Sequence, residues 1–121
     1  MAALDEFVQV GFKPITKWIL KRNTIGPASF QWKDHSGWLY VFAVDGDARY
    51  VGLTTRVLRS RLSDYAHTME FHTTRLREAI IAELNAGRSV EIYGRRENRK
   101  HVLRAEEARL RAVYRLPWNW V

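Results

Sequence analysis

The chain has 121 residues, 46% of them hydrophobic, with no cysteine and a formal net charge of +7. That length builds one domain around a modest core, and the apolar content excludes a disordered chain. The missing cysteines exclude a disulfide scaffold and a thiolate zinc site, and no apolar run approaches the ~20 residues of a membrane span.

The first ten residues, MAALDEFVQV, carry acidic side chains where a signal peptide would carry basic ones. The expectation is a cytoplasmic protein with no membrane segment. Twenty basic residues against 13 acidic ones favour a polyanionic partner.

Residues 4–22 read as a weak amphipathic helix or a strand-and-helix lead-in, interrupted by Pro14. NTIGPAS, 23–29, has loop chemistry. GWLYVFAV, 37–44, is an unbroken apolar run rich in aromatic and β-branched residues, which predicts a strand buried on both faces. ARYVG, 48–52, predicts a second strand, joined to the first by a hairpin through Asp45, Gly46 and Asp47. Helices are expected over about 55–67 and over about 73–86, the latter ended by Gly87. RSVEIYG, 88–94, alternates like a strand; RRENRKH, 95–101, is a basic loop; a last helix covers about 102–115, stopping before Pro117. The order is β-β-α-α-β-α behind an N-terminal segment. The domain reading is one domain overall, residues 37–121, with residues 1–36 as an extension packing on the core.

Several side chains break the patterns that contain them. Leu58, Leu62 and Tyr65 form an apolar stripe, and Arg61 projects inside it. Glu106 and Glu107 both fall in the stripe of Leu103, Leu110 and Tyr114, and periodicity does not choose between them. A three-residue hairpin loop would pair Phe42 with Tyr50 and Tyr40 with Gly52, placing both tyrosines on one sheet face and leaving open space above Gly52. A two-residue loop would instead send them to opposite faces. The four histidines have no helical metal spacing, but His67 and His72 flank one helix end and are placed to approach a phosphate or a water. Asn119 is the odd polar residue between Trp118 and Trp120.

WLY at 38–40, YVG at 50–52 and an arginine on the following helix resemble the GIY-YIG nuclease superfamily, although Trp38 stands where that family has glycine. The resemblance extends to EEARLRAVYRLPWN, in which Glu107 lies twelve residues before Asn119; the family's spacing selects Glu107 over Glu106.

The resemblance implies an α+β fold, a three-stranded antiparallel sheet flanked by helices, and a metal-dependent DNA endonuclease. It implies that Tyr40 orients or deprotonates the attacking water, and that Tyr50 bonds the phosphate or that water. Arg61 would stabilise the phosphate, Glu107 would hold one Mg²⁺ (or Mn²⁺), and Asn119 would support the site. Gly52 would keep space beside the tyrosines. A tyrosine acting as base needs a nearby cation to lower its pKa, which Arg61, His67 or His72 would supply. Arg56, Arg59, Arg95, Arg96, Arg99 and Lys100 are the candidates for gripping DNA phosphates. So short a chain has little room for a sequence-reading domain, so a homodimer or partner protein would add contacts. The alternatives are a nuclease-like module that binds nucleic acid without cutting it, and an interaction domain with a core salt bridge between Arg61 and Glu107.

Overall fold

The structure, a computed structural model, describes residues 2–32 and 34–120. Among them are β1 (Ala2–Ala3), α1 (Leu4–Gln9), β2 (Lys13–Leu20), β3 (Ile25–Pro27), β4 (Ser36–Val44), β5 (Asp47–Val57), α2 (Leu58–His67), α3 (Phe71–Asn85), β6 (Val90–Arg96) and α4 (Lys100–Tyr114). The strands form one sheet in the order β1-β5-β4-β6-β2-β3, and every neighbouring pair is antiparallel.

The expected three strands are its centre, β5-β4-β6, but the three-stranded sheet is too small. Residues of the N-terminal segment extend it at both edges: β2 pairs with β6 and β3 with β2, while the two-residue β1 pairs with β5. Pro14 disguised β2, because a proline donates no ladder hydrogen bond. Here it lies where the β2/β6 register shifts between Pro14 and Thr16, a bulge that absorbs the missing N–H.

β4 is buried from Gly37 to Val44, as its unbroken apolar run predicts. Its alternate side chains enter two separate cores. Trp38, Tyr40, Phe42 and Val44 face α2 and α3, together with Tyr50, Leu62, Tyr65 and Ile80. Leu39, Val41 and Ala43 face α1 and α4, together with Phe7, Leu103 and Leu110. The helix expected from about 55 starts only at Leu58, because the β-branched Thr54–Thr55 and Val57 continue β5. α3 ends as expected at Gly87 (φ 82°), whose N–H and that of Arg88 return to the carbonyls of Leu84 and Glu83.

After α4 the chain rounds the outer edge of β5: Leu116 packs in the α1/α4 core and Trp118 in the α2/α3 core. The edge of β5 is therefore where elements from both faces of the sheet meet. No helix among the described residues is long and apolar enough to cross a membrane.

Candidate active site

The hairpin sets the site. Its loop is two residues, not three: Val44 pairs with Asp47, and Asp45 (φ 47°) and Gly46 (φ 84°) turn the chain with the positive φ values that such tight hairpins demand. That turn alone would put the two tyrosines on opposite faces. A register shift between Phe42 and Ala43 inserts Arg49 as an unpaired residue and reverses the parity. Phe42 then faces Tyr50 and Tyr40 faces Gly52, the pairing expected from a different loop. The space above Gly52 is not open. The Tyr40 ring and hydroxyl fill it, and a Cβ there would sit 2.8 Å from the phenol.

Tyr65, on the buried stripe of α2, brings a third phenol to the pair. Its hydroxyl lies 2.6 Å from that of Tyr40 and 3.2 Å from that of Tyr50, which is 3.3 Å from His72 Nε2. Arg61 approaches from α2. Its Nε donates to the Tyr40 hydroxyl at 3.0 Å, one terminal nitrogen lies 3.4 Å from Asp64, and the guanidinium covers the Tyr65 ring at 4.7 Å. The guanidinium therefore sits at the rim of the core, with phenols answering part of its charge.

Donor chemistry fixes the first link of this chain. Arginine only donates, so Tyr40 accepts from it. Either oxygen of the Tyr40–Tyr65 pair can donate; when the Tyr40 proton goes to Tyr65 at 2.6 Å rather than to the Leu53 carbonyl at 3.5 Å, Tyr65 is left to donate onward. In that arrangement Tyr65 donates to Tyr50 and Tyr50 to His72 Nε2, with the histidine's own proton on Nδ1.

Burial raises the pKa of Tyr40 and Tyr65 well above the usual phenol value, against the opposing pull of Arg61. Burial likewise raises Tyr50, with Tyr65, Arg61 and Arg111 pulling down and Glu107 pushing up. The expected lowering of Tyr40 by a neighbouring cation thus fails, because desolvation outweighs Arg61. Burial shifts His72 below its ordinary 6.5; Glu70 pulls it up, while Arg61, Arg111 and Arg75 push it further down. That shift favours the neutral imidazole at pH 7. His67, expected beside it, is exposed and lines a separate cleft with Thr24 and Ile25.

The two glutamates of α4 have different surroundings. Glu106 accepts from Arg109 and Arg95, which hold its carboxyl down to about 2. Glu107 is half-buried, and its nearest cation is Arg111 at 3.9 Å. Burial raises its pKa, with Arg111, Arg61 and Arg104 opposing. Among the described residues, Arg61 and Glu107 form no ion pair, so the core salt bridge weighed from the sequence is absent. Glu107, Arg111 and Asn119 line a cleft of about 520 Å³.

Asn119 closes the free edge of β5. Its Oδ1 accepts from Val51 N–H at 3.0 Å and its Nδ2 donates to Val51 C=O at 2.9 Å, reproducing a strand partner with one side chain. Trp118 N–H donates to the bulged Arg49 carbonyl at 2.7 Å.

The cations proposed to grip phosphate are mostly engaged. Arg56 pairs with Asp64, Arg59 with Asp34, Arg95 with Glu106 and Arg99 with Glu97. Arg96 donates to the Ser36 carbonyl and Asn98, and Lys100 is exposed at the start of α4. Sequence reading did not single out Tyr65 or Arg111, which lie with Arg61 and Glu107. The spacing of Tyr65, one turn after Arg61, was the available signal.

No protein-family profile and no curated protein matches the chain. A solved structure does: bacteriophage T4 EndoII, determined as a glutamate-to-alanine mutant, superposes with a TM-score of 0.80 over 98% of this chain and 100% of that one, at 20% sequence identity. The resemblance drawn from the motifs is thus accompanied by a likeness of the whole fold to EndoII.

Proposed function

We propose that the chain is an endonuclease that hydrolyses DNA phosphodiester bonds at the β5 edge. The observation that carries this reading is the convergence there of a rim guanidinium, a hydrogen-bond chain ending in a histidine whose neutral form burial favours, and a half-buried carboxylate, on a fold shared with EndoII.

Arg61 is held by Tyr40 through Nε and reaches Asp64 with one terminal nitrogen, which leaves the remaining terminal N–H groups to receive a phosphate whose charge grows in the transition state. The buried phenol of Tyr40 acts as a positioning group rather than as a base. Tyr50 and His72 carry the proton: the attacking water gives a proton to the Tyr50 oxygen as the Tyr50 proton moves to His72 Nε2. His72 is suited to this because burial favours its neutral form and its Nε2 lies 3.3 Å from the Tyr50 oxygen. Asn119 fixes the strand that carries Tyr50.

Glu107 would hold one Mg²⁺ (or Mn²⁺). A single carboxylate fits Mg²⁺, which keeps several waters and takes phosphate oxygens as ligands. Among the described residues no cluster of three acidic or histidine side chains would compete with it. When bound, the ion supplies charge neutralisation at the phosphate and the leaving oxygen.

Incubation of supercoiled plasmid with Mg²⁺ tests the reading. The protein should nick or linearise the DNA, chelator should stop it, and the folded Glu107→Gln variant should not cut. DNA binding without cleavage by the unaltered protein would replace the enzyme by a binding module.

A further inference from the structure

Two large apolar side chains stand in water beside this site. Met69 is 86% exposed and Phe71 80%, well above the other exposed hydrophobic residues. Leaving them out forgoes the stabilisation that burial would bring, yet the turn that carries them is firmly built. Thr68 Oγ1 donates to the Asp64 carbonyl at 2.8 Å, Thr73 Oγ1 to the Glu70 carbonyl at 3.0 Å, and Arg77 to the Thr68 carbonyl at 2.8 Å. The turn therefore presents Met69 and Phe71 in fixed positions.

Location and charge identify what they meet. Phe71 opens α3 one residue before His72, whose ring bonds Tyr50, so the pair stands at the helix end that supplies a group to the site. The charges that act on the neighbouring His72 are those of Arg61, Arg75 and Arg111 against one carboxylate, Glu70. An apolar protein partner would gain nothing from that cationic surround, whereas a duplex offers phosphates to the cations and stacked bases to the apolar pair.

We propose that Met69 and Phe71 form a wedge that enters a base step next to the cleaved phosphate and unstacks it. This rests on the nuclease reading of the site. Apolar wedges of this kind kink a duplex and let it wrap more protein surface. The Phe71 ring supplies a face on which an unstacked base can lie.

The test uses the full chain carrying Glu107→Gln, so that DNA is bound but not cut, and short duplexes with 2-aminopurine scanned along them. Binding is followed by anisotropy and unstacking by 2-aminopurine emission. Emission should rise at one or two adjacent positions. Adding Met69→Ser and Phe71→Ser should abolish that rise while affinity changes by about threefold or less, because the cationic contacts persist. With Glu107 intact, the double variant should cut paired duplex about tenfold more slowly or worse, and recover on a duplex with an abasic site at that step, where unstacking has already been done. Bound duplex without any emission rise, or a rise that survives the double variant, overturns the wedge and leaves the nuclease reading intact. A double variant that converts a dimer to a monomer in sedimentation also overturns it, by assigning the patch to a second copy. Failure of the unaltered chain to bind or cut any duplex overturns both readings together.

Discussion

The two cores that share β4 are built from different chemistry. On the α1/α4 side the buried members are hydrocarbon only: Leu39, Val41 and Ala43 of β4 meet Phe7, Leu103 and Leu110. On the α2/α3 side, Tyr40 and Phe42 meet Tyr50 and Tyr65, and three hydroxyls lie inside. A buried hydroxyl is costly unless bonded. These three satisfy one another, and their chain leads at both ends to rim groups, Arg61 and His72. One face of a single strand thus serves stability, and the other serves stability and chemistry at once. Substitutions that separate the two properties test that division.

The largest separation is expected at Glu107, where the cores meet. Its carboxylate is disfavoured in the fold, because burial raises its pKa above the ordinary 4.5. The folded state holds that proton more tightly than the unfolded chain, so ionised Glu107 works against stability above its folded pKa. Glu107→Gln should therefore melt at the same temperature or higher, while cleavage falls about thousandfold, the scale of several kcal/mol of lost charge stabilisation. Calorimetry beside a plasmid assay checks both, and a large loss of stability would make Glu107 a structural residue.

Leu103→Ala supplies the opposite case. It removes a fully buried side chain from the hydrocarbon core and should cost about 2–5 kcal/mol in denaturant unfolding. The kcat of the remaining folded protein should stay unchanged. A matching loss of kcat would show that the two cores do not act separately.

How legible this division was depends on how far apart in the chain its causes lie. β4, β5 and the stripe of α2 are local patterns, and the misplaced Arg61 is visible within one helical turn. The hairpin parity is different: the sequence suggested one loop, the structure uses another, and the bulge at Arg49 compensates. The Arg49 carbonyl at that bulge accepts from the Trp118 N–H, far along the chain. The choice between Glu106 and Glu107 was open to periodicity for the same reason. Glu106 is occupied by Arg95 of β6, a partner that no helical wheel displays. Tyr65 was hidden because it satisfies the apolar stripe and the hydrogen-bond chain together. β2 was hidden because Pro14 contradicts a strand until its bulge is known.

Tyr65→Phe tests the hydroxyl-bearing core from inside. It removes one oxygen and cuts the chain between Arg61 and His72 while keeping the ring. kcat should fall about a hundredfold, within the usual range for proton-transfer assistance, with KM little changed. A variant that loses stability but keeps kcat would reduce the chain to packing.

The smallest effect expected is a shift in pH dependence, and it is the most specific to the proposed direction of the chain. His72 touches Tyr50 on β5 and lies against Trp120 at 6.5 Å, with Arg61 on α2, Arg111 on α4, and Glu70 and Arg75 near its own position affecting its charge. Burial and those arginines lower its pKa from 6.5. Only neutral His72 accepts from Tyr50, so cleavage should decline on the acid side with a midpoint below 6.5. Stability should move the same way. Between the folded and unfolded pKa values the unfolded chain binds the extra proton, so this histidine's contribution is present above about 6.5 and is lost as pH falls through its folded value. Glu107 has the opposite sign in the more acidic range, so the two separate in His72→Gln: the variant should lose the acid limb of kcat and the histidine's part of the stability slope, and keep the glutamate's. An acid limb that persists in His72→Gln would move the proton acceptor elsewhere and leave the Tyr40–Tyr65–Tyr50 chain as a brace for Arg61 alone.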